Sequence, residues 1–189
     1  MFKTVCEDLR RWVVPGQIVP DAALTWPVIV RLFFYHLPVR AVVVFRLANW
    51  CKRHRVPFFP GFLQRYIYQH YGLEISSGAE IGGGLYIAHP VGCVIGARKI
   101  GRNCSVIAAV TIGMRNTWAF PVIGDNVTIG AGARVLGDLR IGNDVTIGAN
   151  AVVIHDVPDG ATVVGMPARP IKIYGQPLIP VSEKSVGEG

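Results

Sequence analysis

Every sixth residue from Ile123 to Val153 is a β-branched aliphatic: Ile123, Ile129, Val135, Ile141, Ile147 and Val153. Four residues after each stands a second small or apolar residue: Val127, Ala133, Leu139, Val145, Ala151 and Val157. A helix repeats every 3.6 residues and a half-buried strand every two, so neither accounts for a period of six. A hexapeptide period is the mark of a parallel β-helix, in which three hexapeptides close one triangular coil. The aliphatic points into the prism. Gly, Asn and Asp make the corners, where left-handed backbone angles are needed.

Read toward the N-terminus, the register continues at Ile112, Val106 and Ile100, then at Cys93, Ile87, Ile81 and Ile75. Thirteen lead positions amount to about four coils. Two steps are irregular. The step from Cys93 to Ile100 places one extra residue near Arg98, and the step from Ile112 to Ile123 places five extra residues in Gly113–Pro121. Insertions in a solenoid become loops on one face, often the binding face, and the end coils need covers.

The sixfold pattern is absent before about residue 72, so the expected architecture is mainly β with a short α-helical N-terminal cap. The cap spans residues 1–72, the β-helix 73–174 and a flexible tail 175–189. The spacing predicts cap helices over Thr4–Val13, Asp21–His36 with a break at Pro27, Val39–His54 and Phe62–His70. The stretch from Trp26 to Trp50 is apolar but holds Arg31, Arg40 and Arg46, and no charge-free run approaches the ~20 residues of a membrane span. The first residues lack the apolar stretch of a signal peptide, so a cytoplasmic location is expected.

Residues 1–74 carry ten Lys/Arg against four Asp/Glu, and the whole chain has a formal charge of +7. The excess is either a solvated face or a surface for anionic lipid headgroups or a lipid-linked diphosphate, a peripheral contact at the inner membrane face. No nucleic-acid-binding motif accompanies it, so a nucleic-acid partner is not expected. Cys6, Cys51, Cys93 and Cys104 show no metal-ligand spacing and read as reduced, with Cys93 and Cys104 inside the prism. No metal is expected.

His89, in Ile87-Ala88-His89-Pro90-Val91-Gly92, falls two residues after a lead aliphatic and two before the next inward position, which turns it outward. The run His89–Gly96, the segment Val110-Thr111-Ile112-Gly113, the coil Ile129–Ala133 and the exit Gly165-Met166-Pro167-Ala168-Arg169 together resemble serine acetyltransferase and its hexapeptide-repeat relatives over about residues 72–172. The resemblance implies a left-handed β-helix, acetyl-CoA as co-substrate and a homotrimer with active sites between subunits. It implies His89 as the base that takes a proton from an attacking hydroxyl, and the backbone N–H of Gly113 as donor to the oxyanion. Ala131 and Ala149 stand where relatives admit the pantetheine arm, and Arg169 and Lys172 where cations meet the CoA phosphates. Small corner residues and solvated cations are also ordinary in any such coil.

The chain departs from serine-specific members at three places. Ala88 stands where an Asp precedes the histidine, and Ala119 and Phe120 stand where an Arg and a second His precede Pro121. Those groups would hold the ammonium and carboxylate of an amino acid, while Trp118 and Phe120 either suit the face of a sugar ring or pack between the subunits of the trimer. The cap is also short for a serine-specific enzyme. The reading that follows is an O-acetyltransferase of an exopolysaccharide-type branch, acting on a sugar hydroxyl of a polysaccharide or lipid-linked saccharide. Serine O-acetylation, as in cysteine biosynthesis, is the alternative, and a non-catalytic trimeric scaffold a second. A metal-dependent hydratase is disfavoured because Val94 stands where its second His would be.

Overall fold

A computed structural model describes residues 1–13 and 23–178. All thirteen lead residues are buried, and twelve of them stack in three columns. The first face carries Ile75, Ile95, Ile112, Val135 and Val153 in register. The second carries Ile81, Ile100, Ile123, Ile141 and, through an isolated bridge, Val157. The third carries Ile87, Val106, Ile129, Ile147 and Val163. The pairing is parallel until Gly165, after which Ala168–Ile173 and Gln176–Pro177 return antiparallel across the exit of the third face. Each column has five levels, so the prism holds five coils rather than four. The sixfold count stopped at Val153 because the chain then steps four residues to Val157.

One column corrects the sequence register. Ile95, not Cys93, stacks on Ile75, while Cys93 pairs with Leu73. The surplus residues therefore lie between Ile87 and Ile95, around His89-Pro90-Val91-Gly92, and not at Arg98. Val91, expected to turn inward, is 71% exposed. The surplus is spent on a bulged corner directly after His89.

Two corners turn through left-handed residues. Between the second and third faces these are Gly84, Asn103, Asn126, Asp144 and Gly160. Asn103 donates to the Asn126 side chain at 3.0 Å, and Asn126 donates to Asp144 at 2.9 Å. A second ladder runs beside it: the backbone N–H groups of Arg102, Asp125 and Asn143 reach the side chains of Asp125, Asn143 and Asp159. Between the third and first faces the left-handed residues are Gly92, Ala109, Gly132 and Asn150. Among the described residues no side-chain ladder joins them.

Four helices form the cap: α1 Phe2–Val13, α2 Trp26–Tyr35, α3 Leu37–Arg53 and α4 Phe59–Tyr71. Pro27 does not break a helix. It lies in the first turn of α2, where a missing N–H costs nothing; the break comes at His36. Residues 21 and 22 of the expected second helix lie outside the described residues. Gln176–Pro177 is paired strand where a loose tail was expected, and residues 179–189 lie outside the described residues. Ala41, Val42, Phe45, Ile67 and Tyr71 extend the apolar core out of the prism into the cap.

The joint beside it is polar. Arg46 bonds both carboxylate oxygens of Asp8 (2.8 and 3.0 Å) and the carbonyls of Ile81 and Gly82. Asp8 also accepts from the N–H of Leu85, and Arg11 donates to Ser105. Burial pushes the Asp8 carboxyl up, while Arg46 and the Leu85 N–H pull it back. No described helix is by itself long and apolar enough to cross a membrane; α2 and α3 pass that test only as a pair bent by 103°.

Candidate active site

His89 ends the third-face strand Tyr86–His89, where it pairs with Ala108, and its side chain is exposed. Cys93 donates through its thiol to the His89 carbonyl at 3.3 Å. Among the described residues no group hydrogen-bonds to the imidazole, so both ring nitrogens face solvent or a ligand. Carrying the third-face register onward from Ala108 gives a column of Ala131, Ala149 and Gly165. A histidine thus stands at the foot of a stripe of small residues running the height of the prism. Ala131 is half-buried and Ala149 exposed. Sequence reasoning named these two and missed Ala108, whose place shows only once His89 is paired. It also missed Arg134, which donates to the carbonyls of Ala109 and Gly132 (2.6 and 2.9 Å) and braces this corner from the first face.

Arg169 and Lys172 share the returning strand and are exposed, but they diverge. Arg169 pairs with Val164, next to Gly165 at the head of the small-residue column. Lys172 pairs with Thr162, toward the opposite corner. The structure brings Arg169 to the column and leaves Lys172 away from it.

Gly113 ends the first-face strand Thr111–Gly113 and pairs with Leu136. A Cβ placed there would meet nothing within 4 Å, so packing does not demand glycine and the space beside it is open. His89 precedes the corner that enters the first face, and Gly113 lies where that face ends. Three or four strand residues separate the two, about 10 Å. One protomer therefore does not set Gly113 against its own His89.

Beside Gly113, at the corner between first and second faces, the insertion loop covers a cleft of about 420 Å³ lined by Ser76, Arg98, Trp118, Ala119, Phe120 and Asp138, among others. Trp118 is 83% exposed and meets Phe120 edge to face at 5.8 Å. Phe120 is half-buried and lies over Gly96, where a Cβ would come within 3.3 Å of its ring. Arg98 enters one coil before the loop and Asp138 one coil after. Two coil spacings, about 10 Å, separate their backbones, and among the described residues neither takes part in an ion pair. The cleft thus presents one cation and one anion, and sequence reasoning named neither. Arg98 was read only as the place of a register slip.

Residues 120–155 match the family described as bacterial transferase hexapeptide (six repeats). The chain is 38% identical to the serine acetyltransferase of Synechococcus elongatus over 98% of its own length and 75% of that protein's. It is also 38% identical to the Helicobacter pylori serine acetyltransferase, over 70% of this chain and 80% of that one. The Neisseria gonorrhoeae serine acetyltransferase, solved in complex with serine, superposes with a TM-score of 0.77 at 32% identity, covering 89% of this chain and 68% of that one. The soybean enzyme complexed with serine gives 0.78 at 30% identity, covering 89% and 68%. The fold is the left-handed hexapeptide β-helix with N-terminal helices that the sequence led us to expect.

These relatives overturn the sugar-acceptor reading and its exopolysaccharide branch. The short cap does not set the chain apart, since the match to the Synechococcus enzyme runs through it. The physical argument fails as well. Phe120 is packed down on Gly96 and is no free platform for a sugar ring, and Arg98 and Asp138 supply charges that Ala88, Ala119 and Phe120 had seemed to remove. The silent-scaffold alternative falls with it. The chain belongs to the serine acetyltransferase family and is an acyltransferase.

Proposed function

We propose that the protein transfers the acetyl group of acetyl-CoA to the hydroxyl of L-serine, at sites built between the solenoids of a homotrimer. The observation that carries the acceptor is the cleft holding Arg98 and Asp138, neither of them in an ion pair among the described residues. A zwitterion needs one group of each sign, and a largely dry site lacking either would reject it. Arg98 takes the serine carboxylate and Asp138 its ammonium, while Trp118 and Phe120 wall the cleft.

The chemistry needs a proton acceptor at the hydroxyl and a donor at the carbonyl. His89 takes the hydroxyl proton as the serine oxygen bonds to the thioester carbon. The negative charge that gathers on the carbonyl oxygen is met by the N–H of Gly113, beside which the space is open. On collapse the carbon–sulfur bond breaks and the proton passes from the imidazolium to the departing thiolate, leaving O-acetylserine and CoA. The pantetheine arm follows the column Ala108, Ala131 and Ala149, and Arg169 at its head meets the phosphates.

The same geometry supports a trimer. His89 and the Gly113 cleft lie at opposite edges of one face, so a complete site joins the His89 corner of one subunit to the cleft of the next. Three prisms around an axis make three such junctions. The test is labelled acetyl transfer to serine by the parent and by R98Q and D138N. Each substitution should raise the serine KM about tenfold or more and leave the acetyl-CoA KM unchanged. Unaltered serine kinetics in both variants would remove the cleft from acceptor binding. Full activity in a species of monomer mass by light scattering would remove the shared site.

A further inference from the structure

The turn joining α3 to α4 breaks local rules and, among the described residues, gains no capping bond for doing so. Phe58 is the N-cap of α4 and makes no capping bond, where short polar side chains normally accept a backbone N–H. Its φ is +63°, an angle rare for a bulky residue. Its ring is 92% exposed, and those of Phe59 and Phe62 are 55% and 66% exposed. Three aromatic rings at the tip of a helical hairpin thus lie in water. A segment that violates local preference without an internal return is where a functional surface is expected.

Charge decides what covers it. Lys52, Arg53 and Arg55 precede the rings and Arg65 follows, all exposed, and residues 22–73 contain no Asp or Glu. A second copy of the chain meeting this tip with its own tip would bring cation against cation. An anionic bilayer offers what both kinds of side chain lack, a boundary where aromatic rings leave water beside phosphates that attract cations. We propose that this turn is a membrane-surface anchor, with Phe58, Phe59 and Phe62 seated at the headgroup level of an anionic bilayer and Arg53, Arg55 and Arg65 on its phosphates. The contact is peripheral, and it stands independently of which acceptor the enzyme uses.

The test is sedimentation of the full chain with phosphatidylcholine vesicles made with or without phosphatidylglycerol. Binding should require phosphatidylglycerol and weaken as salt rises. F58A/F59A/F62A should lower the partition coefficient about tenfold or more, and R53Q/R55Q should lower it by a similar factor. Both variants alter only exposed side chains, so acetyl transfer in free solution should match the parent and report an intact fold. Equal binding to both vesicle types, unchanged binding by either variant, or no binding at all overturns the proposal. A smaller assembly for the aromatic variant by light scattering overturns it too, because the tip would then belong to an interface between copies.

Discussion

The two left-handed corners of the prism follow the same backbone path and are furnished in opposite ways. At the corner between the second and third faces, Asn103, Asn126 and Asp144 hold one another through side-chain hydrogen bonds. The neighbouring Asp125, Asn143 and Asp159 tie down backbone N–H groups of the coil above or below. At the corner between the third and first faces the side chains are mostly reduced to Gly and Ala, and the imidazole of His89 has no hydrogen-bond partner among the described residues. The first corner holds coils together. The second leaves its surface bare along a line that starts at His89, the proposed base. A structural corner satisfies itself, whereas a corner proposed to bind substrate leaves its hydrogen-bonding capacity open.

The largest expected effect is at the bare corner. His89→Ala should lower turnover by roughly two to four decades, the usual worth of a positioned general base, with little change in denaturation midpoint because the side chain is exposed and, among the described residues, makes no hydrogen bond. Steady-state kinetics beside a urea titration checks both halves, and a loss of stability with activity retained would reverse the assignment of the two corners. Asn126→Ala should show the converse. It removes two ladder bonds and puts Ala in a left-handed angle, costing about 2–3 kcal/mol of stability while kcat stays near the parent value.

A smaller effect is expected from bulk on the bare corner. Ala149→Leu should raise the acetyl-CoA KM about tenfold, which is ~1.4 kcal/mol, and leave both stability and serine KM unchanged. The smallest effect at neutral pH belongs to Cys104, sealed in the prism just inside the ladder corner. Burial pushes its thiol up to about 12, against the pull of Arg11. Its folded value lies above its unfolded one, so its contribution is complete below the unfolded value near 9 and is lost as pH rises toward 12. Stability should therefore fall by about 1.4 kcal/mol per pH unit in that window, with burial of Cys93 adding a loss of the same sign. Denaturant titrations at stepped alkaline pH should show a shallower slope for Cys104→Val.

Much of the fold was legible because the solenoid interior is a local repeat. A β-branched residue every six positions states which side chains point inward whatever the rest of the chain does, and all thirteen residues chosen on that basis are buried. The register slip was not legible. Cys93 and Ile95 are both apolar, and only pairing against Leu73 and Ile75 shows which leads the coil. The outward turn of His89 was also read correctly, although the reason given, an inward Val91, was wrong. The acceptor was misread for a related reason: charges were sought beside the family's own positions, while Arg98 and Asp138 meet the cleft from coils 40 residues apart.

What the sequence by itself determined is whatever repeats or is local: the prism, its interior, the exposed histidine and four cap helices near their true places. Their physical basis is a steric and solvation preference that each hexapeptide or helical turn expresses by itself. What only the tertiary structure decided are the meetings of residues far apart in the chain. Asp8 finds Arg46 and the N–H of Leu85 at the joint between cap and prism, Phe120 settles on Gly96, and Arg98 and Asp138 reach one cleft. Such meetings depend on how many residues each coil and loop consumes, and one surplus residue moves a side chain to another face. Periodicity survives that uncertainty, but a binding site does not.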